Sequence, residues 1–214
     1  MLFFFSAILY PVCMRIMLAS ANKHKLEEFR MIFPGHELVL APSFDCDETG
    51  ETFIENALIK ANALRALYPD QVILADDSGL IVDALPGELG VRTARFGSQE
   101  AGRLLDAGER NCLLLKKLAG IPWEKRTARF VCALALIWGN GRTAVVQETV
   151  EGHIVEKETG IHGFGYDPVF MINGQDRTTA ELGEQVKCAI SHRGRAARRM
   201  SLIIKQIEGE EYEQ

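Results

Sequence analysis

Apolar and polar residues alternate along the first half of the chain in a pattern that predicts short strands followed by amphipathic helices. Ile16–Ala19 is an apolar run that predicts a strand, and over 20–33 the apolar residues recur at helical spacing, with Asn22 as the predicted N-cap. The pattern then repeats with a short strand at Glu37–Leu40 and a helix at Thr52–Tyr68. Each helix therefore begins shortly after a strand ends.

The stretch Val72–Leu85 begins with the strongest apolar run of the chain, and the densest group of polar residues follows directly. Val72–Ala75 predicts a buried strand, and Asp76 and Asp77 follow directly, with a serine and a glycine after them. In open α/β sheets ligands bind at the carboxyl ends of strands. Successive strand side chains point to opposite faces, so we expect one aspartate to face a site and the other to support a turn. The alternative is a polar turn without function.

The second half of the chain is predicted to contain a glycine-rich mobile loop, a helix, a hairpin, one further strand and a C-terminal helix capped by Ser191. The loop is Pro86–Gly102, with Arg92, Arg95 and nearby Arg103, and the helix is Ala107–Ala119. The hairpin consists of Ala128–Trp138 and Arg142–Glu148 around Gly139-Asn140-Gly141, and the further strand is Gly152–Glu156. The C-terminal helix carries Ala196, Met200, Ile203, Ile204 and Ile207 on its buried face. Arg195, Arg198 and Arg199 are expected on its solvated face.

Composition narrows the class of protein. The chain has 214 residues, of which 47% are hydrophobic and 25% charged, which fits one globular domain. Its net charge of −5 argues against broad binding to nucleic acid polymers but permits a small, metal-chelated anion. The five cysteines show no C-x-x-C spacing, so we expect reduced thiols in the cytoplasm and neither a zinc site nor a disulfide framework.

Residues 1–13 form an apolar segment that resembles a secretion signal at first sight. The segment has no basic residues ahead of the apolar run and no small-residue cleavage site, and it is too short to span a bilayer. We expect an extension outside the fold, with translation starting at Met14 or Met17, and a single two-lobed domain over 14–214 without membrane association. A membrane anchor is the alternative.

Two predicted helix starts carry cations where the helix dipole disfavours them. Lys23 and Lys25 lie in the first turn after Asn22, and His192 and Arg193 lie in the first turn after Ser191. Free N–H groups and positive charge together favour a bound anion such as a phosphate, whereas a solvated polar turn is the alternative.

Two further segments have both functional and structural interpretations. Asp47 and Glu48 precede the helix at Thr52–Tyr68, where acids complement the dipole or hold a metal ion. His162–Phe170 places aromatic residues and an aspartate in a glycine-rich turn, which suits stacking on a planar base, although such aromatics often belong to a core.

Five ordered motifs in 17–207 resemble those of the inosine triphosphate pyrophosphatase family, the XTP/dITP diphosphatases. They are Ser20-Ala21-Asn22-Lys23-His24-Lys25, ETGETFIENA from Glu48, ADDSGL from Ala75, FGYDPVF from Phe164 and SHRG from Ser191. The resemblance implies an α/β fold with a central mixed, twisted sheet, flanking helices and two lobes around a cleft, as a homodimer. It also implies Mg2+-dependent hydrolysis of the purine nucleoside triphosphates ITP, dITP and XTP to the monophosphate and pyrophosphate.

The resemblance also implies a role for individual residues. Asp77 corresponds to the proton acceptor and a metal ligand, and Asp47 or Glu48 would supply the second acid, where the family usually has two glutamates. The triphosphate of the substrate would contact Ser20, Ala21, Asn22, Lys23, His24 and Lys25, and Ser78 would also contact the substrate. The nucleoside would contact Phe164, Gly165, Tyr166, Asp167, Lys187, His192 and Arg193.

Donor chemistry gives a reason for the base preference. Arg193 can only donate, which suits the 6-oxo group of hypoxanthine or xanthine and leaves a donor unmatched against the 6-amino group of adenine. Three other functions are left open: a pyrophosphatase for pyrimidine or modified triphosphates, a nucleotide-binding regulator without turnover, and a haloacid-dehalogenase-type phosphatase. The haloacid-dehalogenase-type phosphatase requires a second aspartate two residues after the first. Here the residue two positions after Asp77 is Gly79.

Overall fold

A computed structural model of the chain describes residues 14–42 and 44–211. The segment 1–13, predicted to be an extension, lies outside the described residues. None of the helices in the described part combines the length and the apolar character needed to cross a membrane.

Within the described ranges, six strands form one mixed sheet with helices on both faces. The strands are β1 Arg15–Leu18, β2 Glu37–Leu40, β3 Val72–Val82, β4 Thr127–Trp138, β5 Arg142–Ile154 and β6 Phe170–Ile172. The helices are α1 Lys23–Ile32, α2 Phe53–Leu67, α3 Ser98–Ala101, α4 Ala107–Lys117, α5 Glu184–Ile190 and α6 His192–Glu211, with 3-10 turns at Gly90–Arg95, Trp123–Lys125 and Asp167–Val169. The order is β2-β1-β3-β4-β5-β6, with β1 parallel to β2 and β3 and the other pairs antiparallel. The predicted α/β class with a central mixed sheet and flanking helices is confirmed.

The two faces of the sheet pack against different helices. On one face Leu74 and Leu134 pack with α1 and α6, including the predicted buried residues Ala196, Met200, Ile204 and Ile207. On the other face Ile73 and Ala75 pack against the apolar stripe of α2. Because side chains alternate along β3, neighbouring residues of this strand face different layers.

Strand β3 is longer than the sequence predicts. It runs through the four polar and small residues after Ala75 to Val82, and β4 pairs with it from Ile73↔Ile137 to Val82↔Ala128. A continuous antiparallel ladder satisfies the backbone throughout, so the expected turn after Ala75 is wrong. Pairing with β1, by contrast, ends at Leu74. Beyond that residue the edge of β3 has no strand partner, and Ser78 and Gly79 line a cavity.

Two other segments and one helix differ from the sequence prediction. The expected strand at 152–156 is the end of β5, because β4 is long enough to pair with it as far as His153. The segment expected to be a mobile loop contains the 3-10 helix Gly90–Arg95 and α3, and Thr93 ties it to β3 by accepting from Leu80 N at 2.9 Å. Helix α5 was not predicted.

Candidate active site

Asp76 and Asp77 lie on opposite faces of β3 and are the centres of two separate groups of side chains. The Asp76 network comprises Lys25, Glu28, Ser78, Asp167, Lys187 and Arg193 with Asp76 itself. The Asp77 cluster comprises Glu48, Asn56 and Lys60 with Asp77. The expectation that the two aspartates face opposite ways is therefore correct, although a continuous strand and not a turn separates them.

Asp76 is fully buried and paired with cations from both helix starts. Lys25 Nζ lies 2.9 Å and Arg193 Nη2 3.5 Å from its carboxylate oxygens, and Ser78 Oγ lies 3.3 Å from it. Burial alone would raise the pKa of Asp76, but Lys25, Arg193 and Lys60 together hold it well below its ordinary value. Asp76 is thus a permanent anion that anchors Lys25 and Arg193.

Glu28 is a second, half-buried carboxylate in this network that the sequence prediction missed. Lys187 Nζ lies 2.9 Å from Glu28 Oε1, and Arg193 Nη1 donates to Glu28 Oε2. Lys187 also lies 2.6 Å from Asp167 Oδ2. Although burial opposes ionisation, Arg193 and Lys187 lower the pKa of Glu28. Its position three residues after Lys25, on the same face of α1, is the signal that could have revealed it.

A cavity of about 270 Å3, here the cationic cavity, opens beside this network. Its lining includes the predicted residues Asn22, Lys25, Ser78, Phe164, Gly165, Tyr166, Asp167, Lys187, His192 and Arg193, together with Gly79, Thr93, Ala94, Arg110 and Phe130. Lys187 Nζ lies 4.6 Å and Arg193 Cζ 5.6 Å from the centre of the Phe164 ring. An aromatic ring beside two donor-only side chains suits a planar ligand that carries acceptor oxygens.

Rigid contacts hold the wall of this cavity. The His192 ring stacks on Phe130 with centroids 4.7 Å apart, and burial, Arg193 and Lys187 lower its pKa well below the ordinary value, so His192 is neutral. Tyr166 donates its hydroxyl to Thr93 O at 2.9 Å. Neither side chain is free to swing out of the wall.

The start of α1 is built as the sequence predicts. Asn22 is the N-cap and accepts from His24 N at 2.9 Å, and Ser20 Oγ accepts from Asn22 N at 3.1 Å. Lys23 is exposed, as is Ala21, whereas the His24 ring stacks on Phe164 with centroids 5.6 Å apart. Of the two lysines in this turn, Lys25 is the one that reaches the cationic cavity.

The Asp77 cluster faces α2 on the other side of β3. Lys60 Nζ donates to Glu48 Oε1 at 2.8 Å and to Asp77 Oδ1 at 3.4 Å, and Asn56 Nδ2 donates to Asp77 Oδ2 at 3.2 Å. Burial chiefly, and Glu48 next, raise the pKa of Asp77, against the opposing effect of Lys60. A carboxylate whose pKa is raised is a better proton acceptor than an ordinary aspartate.

Asn56 and Lys60 were missed at the sequence level. Both interrupt the apolar stripe of α2, one turn apart, and both are buried. A buried lysine one turn from a buried asparagine, between Phe53 and Leu64, is the signal that could have revealed them, because such groups need polar partners.

The chemistry of the Asp77 cluster fits a divalent cation. Asp77 and Glu48 converge on one ammonium group, and the Asp47 side chain is exposed, so Glu48 is the acid that approaches Asp77. No preformed group of three His, Cys, Asp or Glu ligands occurs among the described residues. A magnesium ion needs fewer, because it binds through one or two carboxylates and completes its shell with waters and phosphate oxygens.

The open edge of β3 lies between the Asp76 network and the Asp77 cluster. Leu74 O accepts from Ala19 N at 2.8 Å and Leu80 N donates to Thr93 at 2.9 Å, so the backbone groups of even-numbered residues point to this edge. By the same alternation, those of Asp76 and Ser78 point to this edge, away from β4. This edge separates the face that carries Lys25 and Asp76 from the face that carries Asp77 and Lys60.

The chain is similar in sequence and in fold to several known proteins. A family model described as the Ham1 family matches residues 16–202. The chain is 42% identical over 203 residues to a dITP/XTP pyrophosphatase of Exiguobacterium sibiricum, covering 92% of this chain and 100% of the relative. It is 45% identical to a dITP/XTP pyrophosphatase of Treponema denticola, covering 90% and 99%. Among solved structures, the Ham1 protein of Staphylococcus aureus is similar with a TM-score of 0.76, at 37% identity and covering 92% and 99%.

Proposed function

Because the chain belongs to the Ham1 family, we propose that it is a nucleoside-triphosphate pyrophosphohydrolase. It hydrolyses the non-standard purine nucleotides ITP, dITP and XTP to the monophosphate and pyrophosphate, clearing them from the nucleotide pool. The observation that supports this most directly is the cationic cavity, whose ring and donors lie beside Ser78 and Gly79 of β3, the residues that follow Asp77. The dITP/XTP pyrophosphatase relatives support the same substrate class.

The purine base would stack on Phe164 and accept hydrogen bonds from Lys187 and Arg193. Both donors are held by buried and half-buried carboxylates, so they are oriented before the base arrives. A 6-oxo group matches a donor-only side chain, whereas the 6-amino group of adenine leaves it unmatched. A buried mismatch of this kind costs about 1–3 kcal/mol, or roughly ten-fold to more than one-hundred-fold in selectivity.

The triphosphate would cross the open edge of β3 from the cavity toward the Asp77 cluster. Lys25, in the first turn of α1, lies on one side of this path, and Lys60 lies on the other. These are the group types that neutralise phosphate charge.

Asp77 is proposed as the proton acceptor and, with Glu48, as a ligand of Mg2+. When bound, Mg2+ supplies charge neutralisation at the phosphates. Asp77 takes a proton from the attacking water as the new bond forms between the water oxygen and the α-phosphorus. The bond from the α-phosphorus to the bridging oxygen breaks, and pyrophosphate leaves with that oxygen. Lys60 and Lys25 stabilise the charge that develops.

The assembly and location of the protein are also proposals, based on the family resemblance. We propose a homodimer that acts in the cytoplasm. Size-exclusion chromatography with light scattering tests the dimer, for which a monomeric mass at micromolar concentration would be the contrary result.

The decisive experiment is a substrate panel with identification of both products. ITP, dITP, XTP, ATP, GTP, dTTP and UTP are each incubated with enzyme and Mg2+. We expect monophosphate and pyrophosphate from the first three. Diphosphate and phosphate would indicate a different reaction, preferential turnover of dTTP or UTP would indicate a pyrimidine enzyme, and binding without turnover would indicate a regulator.

A further inference from the structure

Asn56 is fully buried between the acidic loop and β3, and both ends of its amide are used. Its Nδ2 donates to Asp77 Oδ2 at 3.2 Å, and its Oδ1 accepts from the backbone N–H of Gly50 at 2.8 Å. The two contacts fix the orientation of the amide, because only the oxygen can accept from Gly50 and only the nitrogen can donate to Asp77.

Gly50 lies two residues after Glu48, so the contact between Gly50 N and Asn56 Oδ1 holds the loop that carries the second acid. A methyl group at Gly50 would lie 2.7 Å from Asn56 Oδ1, 2.7 Å from Glu55 Cβ and 3.0 Å from Asn56 N. The loop therefore approaches the start of α2 too closely for any side chain at position 50. The capping box of Thr52 and Glu55 fixes this helix start independently, with Glu55 Oε2 accepting from Glu51 N and Thr52 N.

Asp77 receives one donor from α2 on each oxygen, Asn56 on Oδ2 and Lys60 on Oδ1. Since the two donors lie one turn apart on a single rigid helix, they set the plane of the carboxylate. The lone pairs that remain then point in a defined direction.

We propose that Asn56 is a positioning residue that aligns Asp77 and Glu48 with each other by bridging Asp77 and the backbone of Gly50. This role rests on the function proposed above, in which Asp77 and Glu48 act together. Partners of this kind, which hold a reacting or ligating carboxylate in place, typically contribute about ten-fold to one-hundred-fold to activity or metal affinity.

The substitution Asn56→Asp separates the two contacts of the bridge. It keeps an acceptor for Gly50 N but removes the donor to Asp77. We expect kcat for ITP to fall by about ten-fold or more, while KM changes by less than about three-fold, because the base-binding groups lie on the other face of β3. Asn62→Asp is the matched control, since Asn62 is an exposed asparagine of the same helix, and we expect it to keep wild-type kinetics.

A second measurement needs neither metal nor turnover. In Asn56→Ala the amide of Gly50 loses its acceptor, so hydrogen exchange at Gly50 should become faster, whereas in Asn56→Asp the amide should stay protected. Gly50→Ala, which displaces the loop but leaves the donor to Asp77 intact, should also lower kcat. The double variant with Asn56→Asp should lose less than the product of the two single losses, because both changes break one bridge.

Wild-type kcat in Asn56→Asp, or an equal loss in Asn62→Asp, would overturn the proposal. Equal effects on kcat and KM would also overturn it, because they would assign Asn56 a general structural role. Failure of the wild-type protein to release pyrophosphate from any purine triphosphate would instead refute the proposed function, and the exchange of Gly50 would still test the bridge.

Discussion

Lys60 is the cation on which the Asp77 cluster depends, and replacing it gives the sharpest test of that cluster. Its ammonium lies 2.8 Å from Glu48 and 3.4 Å from Asp77, and its side chain is only 9% exposed. The substitution Lys60→Met keeps an unbranched apolar stem of similar length but removes the charge. Two carboxylates are then left next to each other without a cation.

The expected loss of stability follows from the burial of the pair. Removing one partner of a buried ion pair costs about 3–5 kcal/mol. Because the Glu48 side chain is 31% exposed and water can partly compensate, we take the lower end of this range. At about 2–4 °C per kcal/mol for a domain of this size, a loss of about 3 kcal/mol lowers Tm by about 6–12 °C.

Differential scanning fluorimetry in EDTA and in Mg2+ measures this loss and its reversal. A divalent ion between the same carboxylates replaces the lost charge, so Mg2+ should raise the Tm of Lys60→Met more than that of the wild type. At one hundred times its Kd, a ligand of the folded state adds about 2.7 kcal/mol. Lys205→Met, at an exposed position of α6, is the control and should leave Tm unchanged.

The pH dependence gives a further check with a defined sign. Burial lowers the pKa of Lys60, but Asp76, Asp77 and Glu48 outweigh it and raise the pKa above its ordinary value. A group with a raised pKa stabilises fully below its unfolded pKa, so the Lys60 contribution should be constant from about pH 7 to pH 9. A Tm of Lys60→Met in EDTA within about 2 °C of the wild type, or equal shifts by Mg2+ in both proteins, would refute this reasoning.

Three further predictions concern β3 and the cationic cavity. Asp77→Asn should lower kcat for ITP by about one-hundred-fold to ten-thousand-fold, the range for a lost general base, while the protein stays folded by circular dichroism; near wild-type turnover would remove Asp77 from the mechanism. Arg193→Ala should reduce the ratio of kcat/KM for ITP over ATP by about ten-fold or more, and an unchanged ratio would show that the base is recognised by other groups. Asp76, whose pKa is lowered, stabilises the fold above its unfolded pKa and loses this effect as pH falls through the folded pKa. In urea at neutral pH, Asp76→Asn should therefore have a lower free energy of unfolding than the wild type, and this difference should narrow below about pH 4. A difference that stays constant with pH would contradict this prediction.

Much of the fold follows from local sequence pattern. The strand Glu37–Leu40 has the predicted bounds, and the hairpin turn around Gly139 and Gly141 forms where both glycines adopt positive φ. The length of β3 could not be predicted, because its polar residues stay in the strand only through pairing with β4, more than fifty positions away in sequence. Tertiary hydrogen bonding overrides local propensity there.

The candidate site also contains residues that local sequence could reveal and residues that it could not. Residues that mark a helix start, such as Asn22 and Lys25, carry a local signal and were identified. Glu28, Asn56 and Lys60 lie in the interior of helices, where a polar residue reads as part of a solvated face until its tertiary partners are known. Their roles depend on carboxylates and cations contributed by other elements of the fold.

The short first strand has a wider consequence for how this protein can change over time. β1 has 4 residues beside the 11 of β3, and this difference in length leaves part of the β3 edge without a strand partner. Two more residues of β1 in register would strengthen the sheet and fill the place where the phosphates are proposed to lie. Substitutions that stabilise the sheet by extending β1 would therefore block the proposed phosphate position. Any gain in the stability of a working enzyme has to come from another part of the molecule.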